Sequence, residues 1–326
     1  MVNDYPYKRR SIRQRDRGKE KTMSELSYDI LPCSDEEADR INEKADAFDS
    51  SRMPPIPDAP KKEYVFKITD EEGTIIGGAL LDIDEWKLAD LDILWVDERY
   101  RRQGLGSMLI RRAEQTAREN GCSIMLLGTF DFQARPLYEK HGYRVYGVIE
   151  NYPQGHCNYS LMKRLDEPHS EYVPSNNAAA DRFAAETGSK EDGELIVKNL
   201  VSCNDSRVPG KREVVSLNKK VLDENGNMIA GCWACVGEWN YGSINLWVDE
   251  PYRRRGIGTR LLSEVEREAK ENGAYLMFIA LYEWQTDFFR KRGYSLCPEE
   301  KIPTEKPILY NMTKPLITDR RDHHGH

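Results

Sequence analysis

The stretches "LWVDERYRRQGLG", from Leu94 to Gly106, and "LWVDEPYRRRGIG", from Leu246 to Gly258, share ten of thirteen residues and begin 152 positions apart. A common surface patch does not require matching order and spacing, whereas a duplicated domain does. Each copy opens with an apolar run that predicts a strand, passes an Arg-Arg pair and a Gly-x-Gly, and enters a segment whose apolar residues recur at helical spacing. Leu109, Ala113 and Ala117 share one helix face in the first copy; Leu261, Val265 and Ala269 do so in the second. Both predicted helices stop at Asn-Gly, residues 120–121 and 272–273, where glycine supplies a left-handed cap.

The repeat extends on both sides. Upstream, "YVFKITDEEGTIIGGALLDI" and "VVSLNKKVLDENGNMIAGCWACV" each read as two β-rich runs joined by a turn, with Asn225-Gly226 a strong hairpin signal. Downstream, "SIMLLGTF" and "YLMFIALY" predict another strand, followed by a short helix ending at Gly142 or Gly293. The expected organisation is a basic tail (1–25), a first domain (26–165), a polar linker (166–190), a second domain (191–317) and a tail (318–326). A chain of 326 residues, 39% hydrophobic, is long enough for two domains of about 150 residues.

Composition narrows the classes of function. No run of about 18 apolar residues is present, and the first residues lack the apolar core of a secretory signal, so a cytoplasmic protein without a membrane span is expected. Seven scattered cysteines do not form a disulfide framework. Residues 1–21 carry eight Lys/Arg against three Asp/Glu; with a formal charge of −7 overall, the remainder stands at −12. An acidic body argues against nucleic acid and favours a cationic partner through long-range steering. Cys232 and Cys235 resemble a CxxC pair, but on a strand positions three apart point to opposite faces, and no metal is expected. The terminal "DHHGH" reads as a solvated tail.

The Gly-x-Gly loop carries the chemistry. Two glycines at a strand-to-helix junction let backbone approach a ligand, and the first helical N–H groups lack partners, so with the adjacent arginines they suit a pyrophosphate. Arg101-x-x-Gly104-x-Gly106 and Arg253-x-x-Gly256-x-Gly258 resemble the acyl-CoA signature of the GNAT superfamily of N-acetyltransferases, and "YEKHGY" from Tyr138 to Tyr143 resembles that family's later signature. The resemblance covers roughly residues 26–165 and 191–316. It implies an α/β fold, with a mixed sheet whose two central parallel strands splay apart, in two tandem copies packed as a pseudo-dimer. It also implies acetyl-CoA as co-substrate and transfer to a primary amine of a small molecule or peptide; a non-catalytic acyl-CoA sensor or scaffold is the alternative. The chain is then a monomeric pseudo-dimer or a homodimer.

By the same resemblance, Leu94, Trp95, Val96, Arg101, Arg102, Gln103, Gly104, Leu105, Gly106, Ser107, Asp131 and Tyr138 fall on the cofactor side, with Tyr138 placed to protonate the departing sulfur. Asp90 and Asp92, two apart on the strand before the loop, are candidates for the base. His156, Trp86 and Glu85 are candidates for the acceptor side. Val248, Arg253, Arg254, Gly256, Gly258 and Thr259 form a second acyl-CoA loop. At the 152-residue offset Gly242 replaces Asp90 and Ile244 replaces Asp92, and after a one-residue deletion Phe289 replaces Tyr138. The second copy is therefore expected to keep the loop and lose the chemistry.

Overall fold

The computed structural model describes residues 28–167, 172, 182–208, 213–297, 302–304 and 306–317. The basic stretch 1–25, most of the linker and the 318–326 end lie outside them. In chain order the first half runs β1 (Ile30–Pro32), α1 (Asp35–Ser50), β2 (Lys62–Thr69), β3 (Ile75–Ile83), β4 (Leu88–Val96), α2 (Leu105–Glu119), β5 (Ile124–Phe130), α3 (Arg135–Lys140), β6 (Arg144–Glu150) and β7 (Cys157–Arg164). The second half repeats this as β8 (Glu186–Thr187), α4 (Lys190–Asp205), β9 (Val215–Ser216), β10 (Lys219–Leu222), β11 (Met228–Val236), β12 (Tyr241–Val248), α5 (Ile257–Glu271), β13 (Leu276–Tyr282), α6 (Thr286–Arg290), β14 (Ser295–Cys297) and β15 (Leu309–Pro315).

Two mixed sheets result, each with one parallel pair at its centre. The first has the order β6-β7-β5-β4-β3-β2-β8; the second has β1-β10-β11-β12-β13-β15-β14, with β9 beside β11. In the first sheet β4 and β5 pair only from Leu88–Ile124 to Asp90–Leu126, and in the second β12 and β13 pair only from Tyr241–Leu276 to Ser243–Phe278. Beyond those pairs the strands part. The expected splay is therefore present in both halves.

The halves do not divide where the sequence repeat suggests. β1 pairs antiparallel with β10, and α1 lies on β11 and β12, so residues 30–50 belong to the second sheet. Reciprocally, β8 pairs with β2, and α4 lies on β2, β3 and β4, so residues 186–205 belong to the first. The expected boundaries at 26–165 and 191–317 follow chain order, whereas the packing exchanges the segments at their N-terminal ends. The physical reason lies in the equivalence of the two helices. Both start from a capping box, Ser34 with Glu37 and Ser189 with Asp192, and both seat an isoleucine against a strand glycine. Ile41 meets Gly231, and Ile196 meets Gly78. Either helix fits either sheet, so pattern alone does not say which it chooses.

A second difference concerns β4. Its core-facing residues are Ala89, Leu91, Leu94 and Val96, a phase slip of one residue, and its pairing with β3 jumps from Leu80–Ile93 to Leu81–Leu91. Asp92 is the extra residue of this β-bulge. On β12 the core-facing Ile244, Leu246 and Val248 alternate without a slip, and the ladder with β11 is unbroken. The counterpart of Asp90 is consequently Ser243, opposite Cys235 as Asp90 is opposite Asp82. Asp92 has no counterpart at all. The constant-offset assignment to Gly242 and Ile244 is corrected on both counts.

A Cβ on Gly78 would stand 2.2 Å from Ile196 Cδ1 and 2.9 Å from the carbonyl of Phe66, so the first sheet admits α4 only because that residue is glycine. Gly78→Ala should lower the unfolding free energy by about 1–3 kcal/mol through overpacking. Urea denaturation reads this directly, and an unchanged midpoint would mean that α4 does not rest on β3.

Candidate functional site

Where β4 and β5 part, a cavity of about 700 Å³ opens. Asp92, Leu94, Trp95 and Val96 line its β4 side; Gly128, Phe130, Phe132 and Gln133 line its β5 side; Arg101, Arg102 and Gly104–Ser107 close one end. Tyr138, Leu137 and Lys140 come from α3, and Tyr172 joins them. Past Asp90 the β4 edge has no strand partner across the gap, so its backbone polar groups are left for a ligand.

The loop end is shaped by backbone. Gly104 takes φ 96° as it caps α2, a conformation natural to glycine. A Cβ on Gly106 would sit 3.0 Å from Leu137 Cδ2. The free N–H groups of the first α2 turn then face the cavity with Arg101, Arg102 and Lys140 around them. Arg101 is fixed by donating from Nε to the Val96 carbonyl at 3.0 Å.

Ser107 and His141 extend this end into the core. Both are buried, and His141 Nε2 lies 2.9 Å from Ser107 Oγ. Burial, with Lys163 and Arg111 nearby, pulls the imidazole down to about 4, so it is neutral at pH 7. Sequence reading passed over His141, although it occupies the variable place inside "YEKHGY".

The Asp pair stands at the mouth of the split. Asp92 lines the cavity, while Asp90 sits one turn of the pleat away, opposite Asp82. Burial and the charges of Asp92, Asp82 and Asp84 push Asp90 up to about 7, against an opposing pull from Lys306. Water still reaches the Asp90 side chain, so the clustered carboxylates are a sturdier cause than desolvation. Tyr138 is buried, which raises its phenol and keeps it protonated across the neutral range.

Several expected residues lie elsewhere. Asp131 is outside the cavity wall; its Oδ1 meets His156 Nδ1 at 2.9 Å and its Oδ2 accepts from the Cys157 N–H. His156 makes a T-shaped contact with Phe132, which lines the cavity, and is not itself among the lining residues. Gln103 turns back to donate to the Arg99 carbonyl. Trp86 and Glu85 line a different crevice of about 550 Å³, at the far end of β4, with Pro303 and Thr304 of the second half. Asp131, Gln103, His156, Trp86 and Glu85 thus stand off the wall of this cavity.

One wall is foreign to the first half. Leu200, Cys203, Asn204 and Arg207 of α4 line the cavity. Gln133 donates from Nε2 to Asn204 Oδ1 at 2.9 Å while its Oε1 accepts from the Phe130 N–H at 2.8 Å, and Arg101 Nη2 approaches Cys203 Sγ at 3.4 Å. No local motif in α4 announces this role, because it follows from the helix exchange.

In the second half the loop is kept: Gly256 has φ 82°, and Arg253 Nε donates to the Val248 carbonyl at 2.8 Å. Arg254 repeats the positive φ of Arg102, 61° against 60°. Gly258 lies under Phe288, and Arg292 donates to Thr259 Oγ1 where His141 meets Ser107.

A model described as "Acetyltransferase (GNAT) family" matches residues 28–143, and one described as "Acetyltransferase (GNAT) domain" matches residues 219–296. The chain is 38% identical over 126 residues to a blasticidin-S acetyltransferase of Streptomyces morookaense, covering 38% of this chain and 92% of that protein. It is 28% identical over 111 residues to the uncharacterized N-acetyltransferase YjcF of Bacillus subtilis, 32% of this chain and 79% of that one. Among solved structures, an acetyltransferase from Bacillus cereus is 36% identical, with a TM-score of 0.38, over 41% of this chain and 95% of that chain.

The neutral imidazole predicts a pH signature. His141 starts from 6.5 when unfolded and stands near 4 when folded, so the unfolded chain binds more protons between those values and stability falls as pH drops through that window. Asp90, raised on folding, acts in the opposite sense, but it cancels when wild type is compared with His141→Gln. The stability difference between the two proteins should shift against wild type from pH 7.5 to pH 4.5 in paired urea titrations; a pH-independent difference would contradict a neutral buried His141.

Proposed function

The chain belongs to the GNAT family of acetyltransferases, and from that premise we propose that its first half transfers the acetyl group of acetyl-CoA to a primary amine of a small molecule or peptide within a ternary complex. The observation that carries the reading is the single cavity uniting the Gly104–Ser107 helix start, the bulged Asp92 and Tyr138.

The roles follow from what each group can do. The helix start, with Arg101, Arg102 and Lys140, is suited to the pyrophosphate of the co-substrate. Leu94, Trp95 and Val96 flank its acyl arm, and the unpaired β4 edge offers N–H groups to the thioester carbonyl. An amine must lose a proton to attack. Asp92, on the cavity wall, holds the incoming ammonium, and Asp90 behind it receives the proton through water, its raised affinity matching a base that works near neutrality. Attack forms the C–N bond and breaks the C–S bond, the leaving thiolate takes the Tyr138 proton, and the proton that the new amide nitrogen sheds passes through water to the Tyr138 oxygen. Asp131 and His156, hydrogen-bonded to each other, brace the loop that carries Phe132.

The acidic patch of Asp82, Asp84, Asp90 and Asp92 favours a cationic acceptor, and the name of the Streptomyces relative makes blasticidin S the first amine to try, followed by polyamines, amino acids and peptides. The second half, with Phe289 for Tyr138 and no bulge, is assigned no chemistry.

Thiol release from acetyl-CoA against this panel should find an acceptor. With it, Tyr138→Phe should lower kcat about 100-fold at neutral pH, while Gly256→Ala leaves it nearly intact; equal losses would refute the division of labour. Silence across the panel, with acetyl-CoA still bound, would favour the sensor reading.

The base assignment makes a separate forecast. Activity needs Asp90 ionised, so kcat/KM should fall as pH drops through about 7. Asp92→Asn removes a like charge and should move that limb to lower pH while raising the acceptor KM. Asp90→Asn should remove the limb. A limb that stays at the same pH in both variants would point to another base.

A further inference from the structure

We propose that the exchanged helices make the two clefts unequal: α4 completes the first as an acyl-CoA site, α1 fills the second, and one chain therefore binds one acyl-CoA. This rests on the acetyl-CoA reading of the first cavity and goes beyond it in assigning the second half a part in that site and in denying its own loop a ligand.

The two helices place equivalent residues at equivalent points. On the first sheet, Asn204 accepts from Gln133; on the second, Asp49 accepts from Gln285 at 3.4 Å. Cys203 lies beside Arg101, and Phe48 lies beside Arg253. The chemistry at those points differs. Cys203 is small and leaves Arg101 on the wall of an open cavity. Phe48 is a full ring, with the Arg253 guanidinium 4.3 Å and the Arg52 guanidinium 4.7 Å from its centroid. The second loop's arginine is thereby stacked on an aromatic face and drawn from a pyrophosphate role.

The filling continues around the second loop. Leu137 is replaced by Phe288, with the Arg292 guanidinium 3.6 Å from its ring centroid. Phe132 is replaced by Trp284, whose indole N–H donates to Asp49 Oδ1 at 2.9 Å. The changes from Cys203 to Phe48, Leu137 to Phe288 and Phe132 to Trp284 each add side-chain volume around the second loop, outweighing the loss from Leu200 to Ala45, and Asp49 adds a carboxylate as well. In the first half, the polar contact from α4 works the other way. Asn204 fixes Gln133, which in turn holds the Phe130 N–H and the Thr129 hydroxyl, so a residue of the second half positions the β5 wall of the first half's cavity.

The test is a calorimetric titration of the full chain with CoA, paired with peptide-level alkylation of Cys203 in the presence and absence of CoA. One equivalent is expected, with Cys203 protected and Cys33, on the second sheet's side, labelled at the same rate in both conditions. Asn204→Ala should weaken CoA binding about fivefold, as loss of one positioning hydrogen bond predicts, and should raise the KM for acetyl-CoA while leaving that for the acceptor unchanged. Two equivalents per chain, unprotected Cys203, or unchanged CoA affinity in Asn204→Ala would overturn the proposal. One equivalent bound with no turnover on any amine would fail the transfer reading and leave this one standing; two equivalents with turnover would do the reverse, and no binding would remove both.

Discussion

Three residue pairs, from Leu88–Ile124 to Asp90–Leu126, are all that join β4 to β5, and the site depends on where that ladder stops. A backbone without a strand partner inside a protein needs another partner. At the point of parting, the bulge at Asp92 re-aims a carboxylate into the gap, and the chain then turns through Gly104 into a helix whose first N–H groups are free. One edge supplies acceptors and donors, the other supplies aromatic rings, and the helix supplies positive potential. The second half parts its strands over the same length but lacks the bulge, which shows that the gap is a property of the fold whereas the carboxylate in it is a property of one inserted residue.

The electrostatics around this gap are divided along its length. At the loop end, Arg101, Arg102 and Lys140 gather beside a neutral imidazole, and the charge of Lys163 is met by Glu114, whose two oxygens both accept from it at 2.7 Å. The strand end is acidic, with Asp82, Asp84, Asp90 and Asp92 opposed mainly by Lys306. A polyanion and a cation can thus occupy one cleft from opposite ends without sharing a wall.

Much of this was legible in sequence. The repeated Arg-x-x-Gly-x-Gly, the Asn-Gly stops and the alternating strands are local signals, so the duplication and the loop at Arg101, Gly104 and Gly106 could be read directly, while the α/β fold with its splayed strands and the placing of Tyr138 came through the family resemblance those signals carry. What failed shares a physical cause. A bulge inserts one residue without changing the residue types around it, so a constant offset misaligned Asp90 and Asp92 with the second copy. The partner of a helix is chosen by tertiary packing, so chain order does not reveal that α1 packs on the second sheet and α4 on the first, and Cys203, Asn204 and Arg207 went unnoticed. Trp86, Glu85 and His156 are near the cavity in sequence but end at a hairpin tip or beside Phe132 off the wall, because direction along a strand matters as much as distance.

The exchange of helices also sets an order on synthesis. When α1 emerges from the ribosome, the strands that will receive it, β11 and β12, lie almost two hundred residues further along and have not been made; the first sheet likewise lacks α4 until residue 205 has been added. The early chain holds an amphipathic helix without a seat and a sheet with one face uncovered; the sheet can be covered once α4 is complete, and the helix can be seated only after β11 and β12 have followed. Contacts that span such long sequence separation form late and at an entropic cost that grows with the loop they close. The protein is thus two folds by repetition in which each sheet is completed by a helix encoded in the other half.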